Sequence, residues 1–87
     1  MAERTVAVAS KVGLHARPAM LFTQAVAASG AKVTIARPGK PGVDASSILF
    51  VMGMGVKFGE EVVLVSEDEA ALDGLVELLA TDLDAEQ

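Results

Sequence analysis

Cysteine, tryptophan and tyrosine are absent from this 87-residue chain, and histidine occurs once. Without cysteine there is neither a disulfide framework nor a thiolate metal site. A lone histidine leaves little with which to hold zinc or iron, so no metal or cofactor is expected. Aromatic residues make up 3% of a chain that is 52% hydrophobic, so alanine and valine must supply a core of small, closely packed side chains. No apolar run approaches the roughly 20 residues of a membrane-spanning helix. Met1-Ala2-Glu3-Arg4 does not open a signal peptide, and a cytoplasmic protein without direct membrane insertion is expected. The net charge of −5 leaves no excess of cations to neutralise phosphates, which argues against nucleic acid as a partner. The length allows one core, and residues 1–87 are expected to form a single domain and to act as a monomer.

The charges are unevenly placed. Acidic residues crowd the last third, whereas Lys11, Arg17, Lys40 and Lys57 lie earlier, a distribution suited to docking on acidic partners through one face.

Arg4–Ala9 alternates, with Val6 and Val8 on one side, and reads as a strand. Met20–Ala28, free of glycine and proline, predicts a helix ending near Ser29-Gly30. Ala31–Ala36 reads as a second strand with Val33 and Ile35 inward, and Pro38-Gly39-Lys40 as a turn. Pro41–Asp44 can be a strand only at a sheet edge, because proline cannot donate to a central ladder. Ser46 or Ser47 is expected to cap a short helix, Ile48–Met52, closed by Gly53 or Gly55. Glu61–Ser66 is apolar without interruption and predicts a central strand. Ser66-Glu67-Asp68-Glu69 fits a capping box, followed by a helix with Leu72, Leu75, Val76, Leu79 and Leu83 at helical spacing. An antiparallel sheet with helices layered on one face would bury these elements.

The stretch Gly13-Leu14-His15-Ala16-Arg17-Pro18-Ala19 stands apart. Pro18 suits the first turn of a helix, where its missing N–H costs nothing. His15 then falls at or beside the N-cap, where serine, threonine, aspartate or asparagine stabilises better; a lone histidine is commonly a surface or capping residue, and the alternative reading of a poor cap kept here is that stability gave way to chemistry. The helix start, Ala16, Arg17 and Pro18, is expected to be an anion site, where unpaired amides meet a positive dipole end. Arg17 adds a planar guanidinium suited to phosphate oxygens, although a single arginine is commonly a solvated surface residue. An imidazole nitrogen beside such a site can accept a phosphoryl group. The positive helix end favours the neutral, nucleophilic ring, and the motif holds no carboxylate to activate water.

On these residues the chain resembles the HPr family of the bacterial phosphoenolpyruvate:sugar phosphotransferase system, and the likeness runs nearly end to end. The resemblance implies an α+β open-faced sandwich in which a four-stranded antiparallel sheet carries three helices on one face (βαββαβα). It implies a phosphocarrier rather than an enzyme. His15 would be phosphorylated on Nδ1 by Enzyme I and discharged to sugar-specific enzyme IIA domains. Ser47 matches the serine phosphorylated by HPr kinase in many members, and is otherwise a helix cap. Ser46 stands where those members usually carry lysine, and Phe50 where glycine is frequent. Ile48, Leu49 and Met52, with Met20, are either core or a partner-docking patch, the latter being the family's use of this helix. The alternative functions are an HPr-like regulatory paralogue acting through protein binding, or a carrier for a nitrogen-related branch.

Overall fold

The computed structural model describes residues 2–9, 13 and 16–81. Its elements are β1 (Ala2–Ala7), α1 (Ala16–Ser29), β2 (Val33–Ala36), β3 (Val43–Asp44), α2 (Ile48–Gly53), β4 (Glu61–Ser66) and α3 (Glu69–Ala80), the expected βαββαβα order. The strands form one sheet in the order β1-β4-β2-β3, with every neighbouring pair antiparallel.

Register decides which side chains meet. Val6 pairs with Val62, Ile35 with Leu64 and Val33 with Ser66, so these residues share one face, and all of them are buried. Phe22 and Val26 of α1, Val51 of α2, and Leu72, Leu75 and Leu79 of α3 join them in one apolar cluster. Phe22 is the only aromatic side chain in that cluster, and valine is its most frequent member, as the composition required.

β4 is central, but for a different reason than two-sided burial. Val62, Leu64 and Ser66 face the helices, while Val63 and Val65 alternate onto the other, open face and are only half-buried. The edge strand is shorter than expected: only Val43 and Asp44 pair with β2, and Pro41 lies outside the ladder. The first strand begins earlier, at Ala2, and Val8 is buried just beyond its end.

The capping box expected at Ser66 is not formed. Ser66 is the last residue of β4, and its hydroxyl accepts from the Asp68 N–H at 3.2 Å. Asp68 is the N-cap of α3, its carboxylate accepting from the Ala71 N–H at 3.0 Å. Extended pairing with Ala2 and Val33 holds Ser66 in the sheet, so the helix starts later. Leu83, assigned from spacing to the last helix, lies outside the described residues, and α3 ends at Ala80. Arg4, on the helix-facing side of β1, reaches Asp73 and Glu69 of α3 at 3.2 and 3.3 Å. Those exposed ion pairs contribute little to stability.

Candidate functional site

α1 begins at Ala16, so His15 comes directly before it in the chain; His15 and Leu14 lie outside the described residues. In the first turn of a helix the amides have no acceptor one turn back. Ala16 and Arg17 bring such amides, whereas Pro18 brings none, so Pro18 sets the helix direction without donating to an anion. Pro18 is buried and the Arg17 side chain is exposed, which separates their roles: one anchors the helix start, the other faces solvent.

Gly13, two residues before His15, is buried and adopts φ +69°. A β-carbon there would meet the Val56 carbonyl oxygen and stand 2.8 Å from Lys57 Cα. The chain entering the motif therefore lies directly on the backbone of residues 56–57. The same turn grips the chain further upstream. The Gly59 N–H donates to the Val8 carbonyl and the Val8 N–H to the Glu60 carbonyl, both at 2.9 Å.

Ser47 is the N-cap of α2, in extended conformation, with its hydroxyl accepting from the Phe50 N–H at 3.4 Å. Ser46 does not cap: its hydroxyl and N–H donate to Asp44 Oδ1 at 2.7 and 2.9 Å, and these bonds hold the Asp44 carboxyl below its ordinary pKa. α2 ends at Gly53, with Gly55 just beyond.

Only Val51 of α2 is buried. Ile48, Leu49 and Met52 are exposed, Leu49 by 80%, and so is Met20 on the neighbouring α1. The choice left open between core and surface falls to surface. A helix of six residues can turn only one narrow side inward, and Val51 fills it. Phe50 and Phe58, 56% and 60% exposed, add to this apolar surface. From sequence, Phe50 stands out only as occupying a position where glycine is frequent in the family and Phe58 not at all, and neither was foreseen as exposed surface.

A family model described as the PTS HPr component phosphorylation site matches residues 2–81. The chain belongs to the HPr family. It is 48% identical to the phosphocarrier protein HPr of Streptomyces coelicolor over 97% of this chain and 94% of that protein. It is 38% identical to the HPr-like protein Crh of Bacillus subtilis over 92% and 93%. The crystal structure of HPr from Thermoanaerobacter tengcongensis superposes with a TM-score of 0.83 at 38% identity, covering 91% of each chain. As a member of the HPr family the protein is a phosphocarrier of the phosphotransferase system, not a catalytic enzyme.

Within this HPr fold one cluster was not foreseen from sequence. The Arg37 guanidinium donates to both Glu60 carboxylate oxygens, at 3.2 and 3.4 Å, and to the carbonyls of Met54 and Gly55. Glu60 Oε1 also accepts the Lys57 N–H at 2.9 Å. The arginine, and next the Lys57 amide, hold the Glu60 carboxyl below the usual range. The two residues stand 23 apart in the chain, and neither belongs to a motif.

Proposed function

We propose that His15 is the phosphoryl acceptor, taking the group from phosphorylated Enzyme I and passing it to enzyme IIA domains during sugar uptake in the cytoplasm. An imidazole nitrogen attacks phosphorus, the new N–P bond forms as the donor's bond to phosphorus breaks, and the reverse exchange delivers the group onward. The observation that carries this reading is the start of α1 at Ala16, immediately after His15, with the exposed Arg17 in the same turn. Two backbone amides at a positive helix end and one guanidinium stabilise a phosphoryl group without activating water. The exposed apolar side chains of Met20, Ile48, Leu49, Phe50 and Met52 supply a surface on which partners can dock. HPr kinase is a further partner if Ser47 is its substrate.

The test is incubation with phosphoenolpyruvate and Enzyme I, followed by mass spectrometry of the labelled peptide. One acid-labile, alkali-stable phosphoryl group on His15, and none on a His15→Ala variant, is the expected result. Label persisting on His15→Ala under the same conditions removes the assignment.

A further inference from the structure

The turn spanning residues 54–60 holds the chain at two points around the start of the motif. It pairs with Val8 through two backbone hydrogen bonds, and it supports Gly13 against the backbone of Val56 and Lys57. What fixes the turn itself is largely one side chain. Arg37 ties its first half through the Met54 and Gly55 carbonyls and its second half through Glu60. Glu60 in turn closes the Lys57–Glu60 segment by accepting the Lys57 N–H, with the Glu60 N–H donating back to the Lys57 carbonyl at 3.1 Å. A guanidinium suits this task because its planar fork offers several donors in fixed directions, which a lysine ammonium does not.

We propose that Arg37 is a positioning residue for phosphoryl transfer: by bracing the 54–60 turn it holds Val8 and Gly13, and so fixes where the chain delivers His15. This rests on His15 being the acceptor. In this proposal Arg37 acts through its contacts within the chain, to Glu60, Met54 and Gly55, and not through contact with phosphate or partner. Its loss acts through geometry, and misplacement of about 1 Å in a group-transfer site can slow the reaction as much as a hundredfold.

The experiment measures labelling by phosphorylated Enzyme I as a function of carrier concentration, for wild type, Arg37→Ala, Arg37→Lys, Arg4→Ala and His15→Ala. Circular dichroism first establishes the temperature range in which each variant is folded. Arg37→Ala is expected to lose about tenfold in maximal rate with its half-saturating concentration within about twofold of wild type. Arg37→Lys, which keeps the charge but not the fork, should fall between, and it carries the test should Arg37→Ala fail to fold. Arg4→Ala removes another half-buried, ion-paired arginine and should label like wild type. In the folded Arg37 variants the His15 ring signals should also shift by nuclear magnetic resonance. A wild-type maximal rate for the folded variants overturns the proposal. So does a raised half-saturating concentration at unchanged maximal rate, which would make Arg37 a docking contact. Label on His15→Ala overturns the acceptor assignment instead, and is read independently of the Arg37 result.

Discussion

Gly13→Ala should be the most informative single substitution in this protein, because two separable costs meet at one site. The first is conformational. Gly13 has φ +69°, and an alanine held in the left-handed region costs roughly 1–2 kcal/mol. The second is steric. The new β-carbon would stand 2.8 Å from Lys57 Cα and closer still to the Val56 carbonyl, both backbone atoms that cannot rotate away. Forcing an extra carbon into such a contact costs typically about 1–3 kcal/mol. The sum, about 2–5 kcal/mol, is a large share of what a small domain has.

Gly30 supplies the control. It has nearly the same backbone angle, φ +70°, but a β-carbon there would have nothing within 4 Å. Gly30→Ala should therefore show the conformational cost alone. In urea unfolding both variants should keep the wild-type slope and lower the midpoint, Gly13→Ala by the larger amount. The excess is the steric part, and each kcal/mol of it should lower Tm by about 4–8 °C. Relief of the contact requires the chain at residue 13 to move off residues 56–57, so folded Gly13→Ala should also take up phosphate more slowly, whereas Gly30→Ala should not. Equal midpoints for the two variants, with labelling of Gly13→Ala at the wild-type rate, would refute the claim that the motif is seated on this turn.

Arg17→Ala should melt within a few degrees of wild type, since the side chain is exposed, yet transfer phosphate at least about tenfold more slowly through loss of a charge-assisted contact worth roughly 1.5–3 kcal/mol; unchanged transfer kinetics would contradict it. Gly74→Ala, in the interior of α3 with open space where its β-carbon would go, should stabilise by about 0.8–1 kcal/mol in the same urea assay. Ser47→Asp should retain stability, because aspartate caps a helix as well as serine, but should accept phosphate more slowly at low ionic strength, where a new charge beside Ile48 and Leu49 is least screened; equal rates would leave Ser47 as a cap and nothing more. Asp44 and Glu60 titrate below their ordinary values in the fold, so the unfolded chain binds more protons between the two values. Their stabilisation is complete above the ordinary carboxylate pKa of about 4 and disappears as pH falls through the lowered native values. Glu60→Gln and Asp44→Asn should each flatten the acid limb of a plot of urea midpoint against pH.

Much of the fold was legible because its signals are local. Alternation placed Val33 and Ile35 on the inner face, helical spacing found Leu72, Leu75 and Leu79, and a serine before an apolar run located the start of α2. The errors fell where a longer-range preference won. Ser66 has the chemistry of a cap, but pairing with strands on both sides keeps it extended and hands the cap to Asp68. The apolar run of β4 suggested two covered faces, yet valine also packs well on a half-exposed sheet, and Val63 and Val65 lie on the uncovered side.

The functional stretch divides along the same line. The proposed chemistry is carried by consecutive residues, so Gly13, Arg17 and Pro18 could be picked out from the motif and its family resemblance. What holds that stretch in place is not consecutive: Val8 comes before it, Val56, Lys57 and Gly59 long after it, and Arg37 and Glu60 meet only because β2 and β4 are neighbours in the sheet. A glycine with φ +69° is the one local sign of this dependence, because a residue with no β-carbon is required where backbone must lie on backbone. In the proposed reading, delivery of the side chain before α1 depends on a strand pairing whose partners no motif names. Substitutions at Arg37 or Glu60 should accordingly alter transfer while leaving every residue of the motif itself intact.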